Sequence, residues 1–195
     1  MCIDTPRGPP LPHEPRPVLR VSSIARIAIC GQAPGTRVHA SGMPFTDPSG
    51  ERLRAWMGVS DTEFYDDSKI AIVPMGFCFP GLDAKGGDRP PRQECAAAWH
   101  TRVFARLPQL DLLVLVGAYA QRWHLPQHAA QSLSAMVADW RAISKPGPSR
   151  THAKVTMFPL PHPSWRNTGW LKARPWFETE LLPDLRAEVR ARMAC

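Results

Sequence analysis

Four short, nearly continuously apolar runs set the strongest limit on what this chain can fold into: residues 26–30, 69–74 (KIAIVP), 111–116 (DLLVLV) and 154–160 (KVTMFPL). Strands that alternate apolar and polar residues bury one face. Runs that are apolar throughout belong to strands covered on both. Helical patterns lie between and after them, over residues 49–57, 92–107, 118–124, 132–143 and 175–192. Alternation of strand and helix implies parallel strands joined by right-handed crossovers. The expected fold is therefore α/β, a three-layer α/β/α arrangement around a central four-stranded, mostly parallel sheet. The chain has 195 residues, enough for one domain with a substantial core. Prolines crowd its start, so residues 1–20 read as a flexible Pro-rich arm and residues 21–195 as the domain.

The residues of chemical interest follow the strands. After the first come Gly31, Gln32, Ala33, Pro34 and Gly35, opening a polar loop that reaches Phe45 and Asp47. Met75 follows the second strand, Gly117 the third, and Pro161-His162-Pro163-Ser164-Trp165-Arg166-Asn167 the fourth. In a parallel sheet these segments share one edge, where open α/β folds place their ligands. His162, fixed between two prolines, can donate a hydrogen bond to a developing anion. It can equally be a loop histidine bound to backbone. Phe45 can stack on a flat base or anchor its loop. Asp47 can orient a water or cap the helix that follows. Ser164, Arg166 and Asn167 are donors of the kind that hold phosphates. Trp165 and Trp170 can wedge into a duplex or fold back on the last helix. The Gly-rich stretch over residues 81–91, with Lys85 and Arg89, reads as a mobile insertion.

The net charge of +7 is compatible with a polyanionic partner, nucleic acid first. No apolar run approaches the roughly 18 residues of a membrane helix, and the N-terminus lacks signal-peptide character, so a cytoplasmic monomer is expected. Cys2, Cys30, Cys78, Cys95 and Cys195 are odd in number and scattered, which is no disulfide framework. His39, Asp47, Cys78 and His162 are types that bind metal, yet no CxxC or HxxxH pair occurs among them, and no metal site is expected.

Taken together, these motifs resemble the uracil-DNA glycosylase superfamily. Residues Gly31 to Gly35 are similar to its first, Gly-x-x-Pro-Gly-like motif, and His162-Pro163-Ser164 to its second. Gly42-Met43-Pro44-Phe45 and Ser49-Gly50 resemble segments of its bacterial and archaeal iron–sulfur classes. The resemblance implies roles. Gly31 to Gly35, Phe45 and Met75 would border a base pocket. Asp47 would activate water, and His162 would stabilise the departing base. Ser164, Trp165, Arg166 and Asn167 would contact DNA. It also implies an activity, hydrolysis of the N-glycosidic bond of uracil or a related deaminated base. The alternative is a catalytically weak DNA-binding or damage-sensing protein on the same fold. The family's first-motif carboxylate is replaced here by Gln32 and Ala33, and its Asn after the second strand by Met75 or Gly76. Iron–sulfur members use four cysteines. Cys78 and Cys95 resemble the later pair, but the early CxxC is absent, and no cofactor is expected.

Overall fold

A computed structural model of the protein describes residues 10–194. Its elements run β1 (Ile27–Cys30), α1 (Thr36–Ser41), α2 (Pro48–Met57), α3 (Asp61–Phe64), β2 (Ile70–Ile72), α4 (Gln93–Phe104), β3 (Leu112–Val116) and α5 (Ala118–His124). There follow α6 (Leu133–Ala138), α7 (Trp140–Ile143), β4 (Thr156–Leu160), α8 (Thr168–Lys172) and α9 (Leu182–Met193). The strands form a single four-stranded sheet in the order β2-β1-β3-β4, parallel throughout. Ile27 pairs with both Ile70 and Leu112, so β1 and β3 are central. Pro159, which cannot donate to a ladder, sits in β4 at the edge of the sheet.

Every strand residue is buried, as the unbroken apolar runs demand. Side chains alternate between two cores. Ile27 and Ile29 face one, packed with Trp56 of α2, Trp140 of α7 and Leu185 and Val189 of α9. Ala28 and Cys30 face the other, with Ala96 and Phe104 of α4 and Ala120 of α5. Helices therefore cover both faces.

Several expectations change. Residues 10–20, read as part of a flexible arm, lie along the domain: Val18 is buried, its amide donates to the Phe77 carbonyl (2.7 Å), and Arg20 bridges to Ile72. Residues 1–9 fall outside the described part. The helix expected over 132–143 is interrupted at Asp139. The last helix begins with a wide π turn, Phe177–Leu181, before α9. Pro183 explains it, because a proline has no N–H for a regular ladder and crowds the carbonyl four residues back.

Under the second core lies a histidine cluster. His100 is fully buried; its Nε2 lies 3.0 Å from the Pro74 carbonyl and its Nδ1 has no hydrogen bond among the described residues. His124 is fully buried, and neither of its ring nitrogens is hydrogen-bonded among the described residues. Burial pulls His100 down to about 4, against the Pro74 carbonyl, and pulls His124 down to about 3, helped by the nearby His100, His152 and Arg150. Below the ordinary histidine value the unfolded chain thus binds more protons than the folded one. This stabilisation is complete above about pH 6.5 and is lost as pH falls through about 4, on the order of 3 kcal/mol for His100 alone. Urea denaturation at stepped pH should show this acid limb, and His124→Leu should make it shallower. An acid limb unchanged in that variant would refute the assignment to His124.

Candidate active site

At the carboxyl edge of the sheet a cleft of about 570 Å³, measured to its open mouth, lies between the β1 loop and the segment after β4. Gly31, Gln32, Ala33, Pro34 and Gly35 form one wall, and Phe45, Asp47 and His162 converge from the others. Residues far apart in sequence meet here because all four strands end on this edge.

Phe45 holds the left-handed backbone conformation, with φ of 56°. This is strained for a bulky residue and persists only where the surroundings enforce it. Its carbonyl accepts from Arg54 Nη1 (3.1 Å) and from the Tyr65 hydroxyl (3.1 Å), which also lies 2.9 Å from the Pro44 carbonyl. The ring meets Phe64 edge-on at 5.9 Å, and its Cζ lies 3.1 Å from where a Cβ on Gly31 would stand. Gly31 thus makes room for the aromatic wall.

Asp47 caps α2: its Oδ1 accepts from the Gly50 amide (3.2 Å), with Pro48 at the first helical position. The capping reading holds, and the same side chain lines the cleft. The cap fixes the carboxylate, and its second oxygen, with no hydrogen bond among the described residues, belongs to a side chain of the cleft wall. His162 is held below the ordinary histidine range, first by burial and also by Arg166, while Asp47 pulls it upward. A neutral imidazole beside a carboxylate has one N–H to donate.

The segment after β4 is fastened from several sides. The fully buried Gln121 donates to the Leu160 carbonyl (2.8 Å), and the Gly117 amide donates there too (2.9 Å). Arg52 of α2 donates to the Ser164 carbonyl (3.1 Å). Asn167, expected among the DNA contacts, donates its side-chain amide to the His162 carbonyl (2.7 Å), so it shapes this turn. The Ser164 side chain is half-buried, and Trp165 is 75% exposed with the Arg166 guanidinium 5.7 Å from its ring. Trp170 turns inward, donating to Ser134 Oγ (2.7 Å) and packing on Trp176 and Phe177. Trp170 thus folds back toward the last helix, and Trp165 stands out from the surface.

Met75 does not line the cleft. Its side chain belongs to the opposite core, and Ile72 and Pro74 stand at the cleft instead. Successive residues leaving a strand point to opposite faces, so a shift of one position moves a side chain across the sheet. His39 packs against His13 (4.1 Å between rings) and Phe79, away from the cleft. Asp88, Arg52, Tyr65 and Gln121 were not singled out from the sequence. Nothing local marks them, since each acts on a segment far away in the chain.

Cys30 lies inside β1, and the Phe77 amide lies 3.3 Å from Cys95 Sγ, which joins the segments that carry Cys78 and Cys95. Among the described residues no group of three or more His, Cys, Asp or Glu is placed to hold a metal. Cys2 and Cys195 lie outside the described residues.

Residues 21–186 match the uracil DNA glycosylase superfamily. The chain belongs to that superfamily, whose members act on DNA.

Proposed function

We propose that the protein is a monofunctional DNA base-excision glycosylase that hydrolyses the N-glycosidic bond of uracil or a related deaminated base and leaves an abasic site. The observation that carries this reading is the meeting of the Phe45 ring, the Asp47 carboxylate and a neutral His162 in one cleft. The base must first leave the stack. Phe45 then packs against its face. As the C1′–N bond breaks, the bonding electrons leave with the base, and the His162 N–H meets the negative charge that develops on it. Water adds to C1′ and gives its proton to Asp47. The abasic sugar carries the new hydroxyl, and the base departs.

The DNA grip comes from the segment after β4. The Ser164 hydroxyl has no hydrogen bond among the described residues and is suited to a phosphate. Trp165 with Arg166 projects as an aromatic wedge for the space vacated by the base. No dissociable cofactor enters the reaction.

The test is base release from oligonucleotides carrying uracil, hypoxanthine, xanthine or a thymine mismatch, in single and double strands. Alkali-labile abasic product from at least one is expected. Retention of DNA without such product from any of them would refute the enzymatic reading and favour the damage-sensing alternative.

A further inference from the structure

The carboxylate of Asp88 reaches the cleft from a segment other than the β1 loop and the turn after β4. It comes from residues 81–91, expected from sequence to be a mobile insertion. The structure builds a tight turn there. Leu82 and Asp88 form an antiparallel bridge, the Asp83 amide donates to the Gly87 carbonyl (2.7 Å), and the Arg89 amide to the Gly81 carbonyl (2.9 Å). Asp83 Oδ1 accepts from the amides of Lys85 (2.8 Å) and Gly87 (2.9 Å). This turn carries Asp88 back over the β1 loop. Asp88 Oδ2 ends 3.0 Å from where a Cβ on Gly35 would stand. Gly31 makes room for Phe45, and Gly35 makes room for this carboxyl.

Apart from Ser49 and His162, the side chains of the rest of the cleft are poorly equipped to read a base edge. Val18, Val38, Ile72 and Pro74 supply apolar wall. The Gln32 amide is turned toward Gly117, with Nε2 3.0 Å from the Cβ position there. Asp47 is tied by one oxygen to the Gly50 amide. The Asp88 carboxyl has no hydrogen bond among the described residues and lines the cleft. We propose that Asp88 is a base-contacting residue, hydrogen-bonding the polar edge of the extruded base. The proposal rests on the glycosylase reading above.

A deaminated base presents a carbonyl beside an N–H. A protonated carboxyl presents one O–H donor and one carbonyl acceptor, which match that pair. Asp88 is exposed in the free protein, and its surroundings still shift it toward this form: partial desolvation raises it first, then the Asp47 carboxylate, with Asp83 of the same turn adding and Arg166 opposing. An ionised Asp88 keeps the acceptor, loses the donor and repels the base carbonyl. The contact therefore weakens as pH rises through the ionisation of Asp88. Asp88→Asn keeps a donor and an acceptor at every pH.

The experiment is single-turnover base release by the wild type, Asp88→Asn and Asp88→Ala across about pH 4 to 8, a window spanning the ionisation of a carboxyl raised above its ordinary value. The substrate is each oligonucleotide of the lesion panel that the wild type processes. Asp88→Ala should slow release about 3- to 10-fold at the acid end, the scale of one ordinary hydrogen bond. The ratio of Asp88→Asn to wild type should rise with pH. Taking that ratio removes pH effects common to both enzymes, and a role for Asp88 in packing alone would leave it flat. A flat ratio, or Asp88→Ala within about twofold of an active wild type throughout, overturns the proposal while leaving the glycosylase reading intact. A wild type inactive on every substrate overturns both, and that result is visible without any variant.

Discussion

Asp47→Asn is expected to slow base release by about 10²- to 10⁴-fold, the range of a positioned general base, while leaving the fold in place. The separation of the two effects comes from the geometry. Asp47 holds α2 through one oxygen and lines the cleft as well. An asparagine caps a helix about as well as an aspartate, so its Oδ1 can still accept from the Gly50 amide, and stability should move by less than about 0.5 kcal/mol. It cannot take a proton from water. Asp47→Ala removes the cap too and should lose about 1 kcal/mol of stability with the same activity. His162→Ala, which deletes a single donor to the developing anion, should slow release about 10²- to 10³-fold. Single-turnover excision beside urea denaturation reads all three variants. Release by Asp47→Asn within about threefold of wild type would move water activation elsewhere in the cleft.

Much of this site was legible in the sequence because its chemistry sits where strands end. The apolar runs placed Gly31, Gly117 and His162 on one edge before any contact was known, and the parallel sheet puts them there. Asp47 was legible as a cap, since a short polar residue before Pro48 opens a helix. What stayed hidden depends on three-dimensional fit. Met75 was misplaced because one residue of register after β2 decides which face a side chain joins, and Pro74 has the cleft face. Asp88 was hidden because its turn is fixed by Asp83 and by its own backbone, while the residue it leans on, Gly35, lies more than fifty positions earlier. Asn167 carries the amide that a phosphate contact needs, and only the turn after His162 shows that the amide is engaged with a carbonyl. Short helices such as α3, four residues with a Ser60–Glu63 capping box, are set by local caps and too brief for a periodic pattern.

The role of the first loop follows from what its glycines and their neighbours exclude, and Gly50 gives the sharpest test. Alanine is favoured over glycine by about 1 kcal/mol inside a helix, so Gly50→Ala in α2 would ordinarily stabilise. Here a Cβ would stand 1.8 Å from the Phe45 carbonyl oxygen and 2.6 Å from its carbonyl carbon. Backbone cannot yield as a flexible side chain does. The Phe45 peptide must move, breaking the bonds it accepts from Arg54 and Tyr65 and releasing the left-handed conformation that they hold. Gly50→Ala is therefore expected to destabilise the protein by at least about 2 kcal/mol, opposite in sign to its helix propensity. It should also lose base release beyond what the stability change explains, because the displaced ring no longer rests against Gly31. Gly169→Ala in α8, where nothing lies within 4 Å of the new methyl, is the matched control and should be neutral or stabilising. Urea denaturation of the two variants decides the matter: equal shifts would show that Phe45 is not clamped by Gly50, and opposite shifts would show that this clamp shapes the wall of the cleft.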